Sequence, residues 1–113
     1  MPSYTKNNTD NIITYYNKAI DNFLKAKDTL FAAETTAELG YTYSTSGDYE
    51  HAFDYARKSL YLAKKSGTDF SLGWKQYNVQ AALSELAGLY TTAGDHETAM
   101  NYIWENDRYE KET

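Results

Sequence analysis

The sequence predicts an all-α fold in which about five antiparallel helices form stacked hairpins. Along most of the 113 residues, apolar side chains recur at the three- and four-residue steps of an α-helix. Polar stretches that hold a Gly and then an Asp or Thr divide this pattern, and such a pair ends one helix and caps the next. Because the turns are short, successive helices are expected to run antiparallel.

The first three helices follow from their apolar faces and from two breaks. A flexible tail of residues 1–9 is expected before the first helix, in which Ile12 and Phe23 lie on one face. A weak polar break separates it from the second helix, which ends at a turn containing Gly47. The predicted ranges are residues 10–26, 29–45 and 48–65.

A turn that contains Gly67 precedes the fourth helix, and a turn that contains Gly94 separates it from the fifth. In the fourth helix, Val79, Leu83 and Leu86 recur at helical steps, so this segment is expected to bury one face. Asp95 follows Gly94 and is expected to cap the fifth helix. The predicted ranges are residues 70–92 and 95–110.

An internal repeat is the strongest signal in the chain. Its two copies are Leu39-Gly40-x-x-Tyr43-x-x-x-Gly47-Asp48-Tyr49-x-x-Ala52 and Leu86-Ala87-x-x-Tyr90-x-x-x-Gly94-Asp95-His96-x-x-Ala99. In the first copy, Gly40 permits close approach of a second helix, and Ala52 is the small residue where the helices cross. One such hairpin cannot bury its apolar face alone, so the hairpins are predicted to stack.

These residues resemble the tetratricopeptide repeat (TPR) family. Residues 33–65 match its Leu-Gly, Tyr, Gly-x-Tyr and Ala positions, with Thr36 in place of the family's Trp and without its closing Pro. The second copy matches less completely, with Ala87 for Gly and His96 for Tyr. The resemblance implies a short right-handed α-solenoid in a single domain, residues 10–112. Its parts are a half repeat 10–27, a repeat 28–66 and an extended repeat 67–112, whose first helix is lengthened.

The resemblance also implies a binding surface, because TPR proteins generally bind peptides on the concave face formed by the first helix of each repeat. Small side chains beside Trp74 and Tyr77 would leave room for a ligand there, and aromatic anchors are frequent hot spots. Alternatively, the small residues serve helix packing and Trp74 covers the core. The predicted partner-binding residues are Glu34, Ala37, Tyr41, Ser44, Trp74, Tyr77, Ala81, Ser84, Gly88 and Thr91.

Other functions find little support in the sequence. The positions at which some TPR proteins grip a carboxylate with Lys, Asn and Arg hold Glu34, Ala37 and Tyr41, so that clamp is absent. The net charge of −5 argues against nucleic-acid binding. No apolar run is long enough for a membrane helix, and we expect neither a cofactor nor catalysis, since no nucleophile or phosphate-loop motif occurs. His51 and His96 are interpreted as surface residues.

We therefore predict a protein–protein interaction module that binds a peptide or partner helix and forms part of a larger protein. Two alternatives stay open: a sensory or regulatory TPR segment of a bacterial signalling protein, and a unit that self-associates through uncapped ends of the stack. We favour a soluble, cytoplasmic protein, although the composition does not decide the compartment.

Overall fold

The computed structural model describes the backbone of residues 2–66 and 72–112, and side chains within residues 10–66 and 74–109. Over these residues the chain forms five α-helices and no strand. Among them, no helix is both long and apolar enough to cross a membrane. The helices are α1 (Pro2–Lys25), α2 (Thr29–Thr45), α3 (Tyr49–Lys65), α4 (Leu72–Thr92) and α5 (His96–Glu112).

The all-α prediction is confirmed, and so are the bounds of most helices to within two residues. The exception is α1, which begins at Pro2 rather than near residue 10, so the predicted start is wrong. The run from Tyr4 to Asp10 contains no Gly or Pro to stop a helix from extending towards the N-terminus. The flexibility expected for residues 1–9 stays a prediction. The predicted turn at Gly67 and the helix start at 70 lie outside the described residues.

The three described turns between helices share one geometry. In each, a residue with positive φ is followed by an Asp whose side chain accepts a hydrogen bond from the backbone N–H three residues later. The Asp backbone N–H donates to a carbonyl five residues before it, at 2.8–2.9 Å, which closes the preceding helix. The positive-φ residues and their Asp partners are Lys27 with Asp28, Gly47 with Asp48, and Gly94 with Asp95.

The two copies of the internal repeat are buried against each other. Leu39, Ala52 and Leu86 are each 0% exposed, and Ala99 is 2% exposed. One apolar cluster joins Ala52 of α3 to Leu86 of α4, with the rings of the repeat tyrosines packed against it. The predicted continuous apolar seam between the hairpins is therefore confirmed.

Aromatic stacking also follows the repeat. Tyr43 stacks on Tyr55 with ring centroids 5.4 Å apart, and Tyr90 stacks on Tyr102 at 5.6 Å. Each pair links the two helices of one hairpin, and all four rings are half buried. The resulting body measures 48 × 38 × 16 Å, so it is a thin stack rather than a thick globule.

The order of packing determines where a binding surface can form. Each helix packs on the next one along the chain, and α2 also packs on α4. This additional pairing brings the first helices of successive hairpins side by side. α4 has 21 residues and α2 has 17, which confirms the predicted lengthening of the fourth helix.

Candidate functional site

A groove lies where α2 and α4 run side by side. Its first depression, of about 440 Å³, is lined by α2 and α4 together with Tyr16 of α1. Its second depression, of about 450 Å³, lies between α2 and the later part of α4. Tyr41 of α2 lines both depressions, so they adjoin and form one surface, which we name the α2–α4 groove.

Most of the residues predicted from sequence to bind a partner line this groove. Tyr41 and Tyr77 are each 65% exposed, so their rings are available to a ligand. Gly88 has no atom within 4 Å of the position that a Cβ would take, which leaves the floor open beside it. The predicted residues in the first depression are Glu34, Ala37, Tyr41, Tyr77 and Ala81, and those in the second are Tyr41, Ser44, Ser84 and Gly88.

Two predicted residues are not among those lining the groove. The ring of Trp74 packs edge-on against Phe31, with centroids 4.5 Å apart, and Phe31 in turn stacks on Phe23 of α1. This arrangement matches the alternative interpretation, in which Trp74 covers the core. The Thr91 hydroxyl donates to the carbonyl of Ala87 at 2.8 Å, so it is used within its own helix.

Several groove residues were missed by the sequence analysis. Glu38 lies one helical turn after Glu34, and the step of four between them was a usable signal. Tyr16 gave no signal, because only the packing of α1 on α2 brings it to this surface. The other residues missed are Thr42, Asn78, Glu85, Leu89 and Thr92.

The groove has an acidic character. Burial raises the pKa of Glu34, and the nearby Glu38 carboxylate raises it further. Burial, followed by the charge of Glu38, also raises the pKa of Tyr16. The pKa of Glu85 is raised by burial from 4.5 to about 7. Among the described lining residues there is no Lys, Arg or His to offset these carboxylates.

Glu85 lies in the second depression, close to Gly40 of α2. Its Oε1 lies 3.4 Å from the position that a Cβ would take on Gly40, so a side chain at that position would touch this carboxylate. The same oxygen is buried and makes no hydrogen bond within the described part of the chain. A buried carboxylate oxygen without a donor is costly, which agrees with the raised pKa.

The groove offers a contact surface, and the two histidines and the acidic residues are the candidate ligands for a metal site. No group of three or more His, Cys, Asp or Glu residues within the described range is placed to hold a metal ion. His51 is an exposed residue at the start of α3, where its Nδ1 lies 2.7 Å from Asp48 Oδ2. The exposed rings and open floor of the groove are features that suit contact with another chain.

The sequence of the α2–α3 hairpin matches a known family. Residues 33–66 match the family model described as tetratricopeptide repeat. The α2–α3 hairpin therefore resembles a tetratricopeptide repeat in its sequence. The match covers the hairpin in which Leu39, Gly40 and Ala52 were recognised, and it supports a general role in protein–protein interaction. No curated protein and no solved structure was found to match the chain.

Proposed function

We propose that this protein binds a peptide or a helix of a partner protein in the α2–α4 groove. The observation that carries the proposal is the open surface formed where α2 packs beside α4, with two exposed tyrosines on its walls. Exposed aromatic rings beside a cavity are frequent anchors of protein interfaces, since they add contact area at low entropic cost. The family match supports the general role, and the open surface of the groove supports this location.

The test is selection from a random peptide library displayed on phage, followed by titration of the enriched peptides. We expect Tyr41→Ala to weaken binding because it removes a wall shared by both depressions. Gly88→Leu should also weaken binding, since it adds a side chain at a position where a Cβ would meet open space. Tyr61→Ala is the matched control, because Tyr61 of α3 is 62% exposed and is not among the groove residues.

Two results would contradict the proposal. One is a selection that enriches no peptide. The other is a set of enriched peptides whose affinity is unchanged by Tyr41→Ala and Gly88→Leu but reduced by Tyr61→Ala, which would place binding on α3. Circular dichroism of each variant separates a loss of binding from a loss of folding.

Self-association is a second candidate, and the outer face of α5 favours it. Ile103 and Trp104 are 46% and 58% exposed there, which is unusual for large apolar side chains so close in sequence. A second copy covering this face would be detected as a dimer by sedimentation, and Trp104→Glu should return it to a monomer. A monomer at high concentration would exclude this candidate. The alternative of a bacterial regulatory segment stays a prediction.

A further inference from the structure

We propose that the segment bound in the α2–α4 groove is basic, so that Lys or Arg side chains of the partner enter the groove. This inference rests on the proposed function and specifies the chemistry of the ligand. It is the reverse of the carboxylate-gripping arrangement found in some TPR proteins, because acidic side chains of this chain would receive a cation.

The charge distribution is the first support. Glu34 and Glu38 lie on the α2 wall of the first depression, and Glu85 lies in the second. Basic residues lie outside the groove on α3, where Arg57 donates to the Tyr90 hydroxyl at 2.6 Å and Lys64 pairs with Glu105 at 2.6 Å. Arg57 and Lys64 are thus used between other helices, Lys75 of α4 donates to the carbonyl of Ser66 at 2.7 Å, and the groove presents acceptors to an incoming donor.

The aromatic walls are an independent support. Tyr41 and Tyr77 each expose about two thirds of their surface, at 65%, and both line the first depression beside Glu34. A guanidinium or ammonium group is attracted to the face of an aromatic ring, and more so when a carboxylate lies beside it. An acidic or purely apolar segment would gain the ring contacts but would leave the carboxylates without a partner.

Glu85 supplies the third support. In the free protein its carboxyl group is partly desolvated, its Oε1 has no donor within the described residues, and its pKa rises to about 7. A cation held in the second depression would offset the loss of hydration of this carboxylate. The groove therefore has an electrostatic reason to prefer a basic segment over a neutral one of the same shape.

The composition of the peptides selected from the phage library is the first test. We expect enriched 12-residue sequences to carry more Lys and Arg than the unselected library, and synthetic copies to lose affinity steeply as salt is added. Neutral or acidic peptides that still respond to Gly88→Leu would overturn this inference and leave the proposed function standing. A selection without any enriched peptide would overturn both.

The second test is a charge-neutral variant of the groove, Glu34→Gln with Glu38→Gln and Glu85→Gln, titrated at about pH 8 against a fluorescein-labelled enriched peptide. We expect a loss of affinity of about tenfold or more, since pairs of close charges across an interface couple strongly. The matched control removes three acidic groups outside the groove, Glu50→Gln, Asp54→Asn and Glu97→Gln. Equal losses in the two variants would indicate a general effect of net charge and would overturn the inference.

Discussion

At the scale of single residues, one of the three described turns has a lysine at the position where the other two have a glycine. Lys27 has φ of 60°, whereas the equivalent residues of the other two turns are glycines with φ of 86°. A residue with a Cβ is strained in this region of backbone conformation, by roughly 1–2 kcal/mol. The break near Lys27 therefore looked weak in the sequence, although it has the same hydrogen bonds as the glycine turns.

Replacing Lys27 by Gly should stabilise the protein, because it relieves strain in the native turn. We expect Lys27→Gly to raise the free energy of unfolding by about 0.5–1 kcal/mol. Gly47→Ala, at the equivalent position, should lower it by a similar amount or more. Urea denaturation followed by circular dichroism measures both. A loss of stability in Lys27→Gly would show that the lysine side chain stabilises the turn in some other way.

Glu85 should make stability depend on pH near neutrality. Because its pKa rises from 4.5 to about 7 on folding, its contribution to stability is present in full below 4.5 and is lost as pH rises through about 7. Glu85→Gln cannot ionise, so it should be more stable than the parent at pH 8 by about 1–2 kcal/mol, after allowance for the partly open groove. At pH 5 the difference should be small.

The measurement is the urea midpoint of parent and variant across pH 5 to 8. Glu50→Gln is the control, since Glu50 is an exposed residue of α3 outside the groove. The capping residues Asp48 and Asp95 affect stability at lower pH. Hydrogen bonds from His51 and Thr98 lower the pKa of these carboxyl groups, so their contribution to stability is lost only in acid. A gain from Glu85→Gln that is the same at pH 5 and pH 8 would contradict the account.

At the scale of helices, two glycines within helices have opposite roles: Gly40 is buried against a neighbouring helix, and Gly88 is exposed. A Cβ on Gly40 would lie 3.4 Å from Ala56 N and from Tyr55 Cβ, so α2 and α3 touch there. Gly88 on α4 faces open space. We expect Gly40→Leu to force the helices apart and destabilise the fold by about 1–3 kcal/mol. Gly88→Leu should be neutral or stabilising, because leucine favours helix by up to about 1 kcal/mol over glycine.

Thermal unfolding of the two leucine variants makes this comparison directly. Equal effects at Gly40 and Gly88 would mean that the close approach of α2 and α3 is not a constraint. The sequence predicted this role for Gly40, since the residue lies between Leu39 and Tyr43 on a face that must bury. It did not predict that the same glycine also makes room for Glu85, because that contact depends on how α4 packs.

Helix number and most helix ends could be predicted because they depend on local signals. Gly47 with Asp48, and Gly94 with Asp95, mark turns whose hydrogen bonds lie within a few residues. The start of α1 was not predictable in the same way, since no capping signal marks it and only the absence of breaking residues allows the helix to extend.

The groove residues that share one face of a helix could be predicted from their spacing. Contacts between different helices were less predictable. The stripe from Tyr77 to Gly88 was found because its steps of three and four residues define one face of α4. Trp74 belongs to the same stripe but packs on Phe31, a contact that depends on where α2 lies. Tyr16 joins the surface only through packing between helices, so spacing within one helix could not reveal it, whereas Glu85 lies four residues after Ala81 and could have been found.

At the scale of the whole molecule, the helices form a thin stack in which packing of α2 beside α4 creates the groove. The buried seam between α3 and α4 holds the two hairpins in register, and the groove lies where the first helices of those hairpins meet. Carboxylates line the groove without a basic side chain among its described lining residues, while Arg57 and Lys64 of α3 are paired with Asp54 and Glu105. Fold and proposed function therefore depend on the same arrangement of helices.

Backbone amide chemical shifts of the ¹⁵N-labelled protein, recorded as a selected basic peptide is added, test this central claim most directly. We expect the largest changes in chemical shift at groove residues such as Tyr41, Ser44, Ala81 and Ser84. Residues of α3 that lie away from the groove, such as Lys58 and Tyr61, should change little. The largest changes on α3 or on the outer face of α5, with the groove residues unmoved, would contradict it.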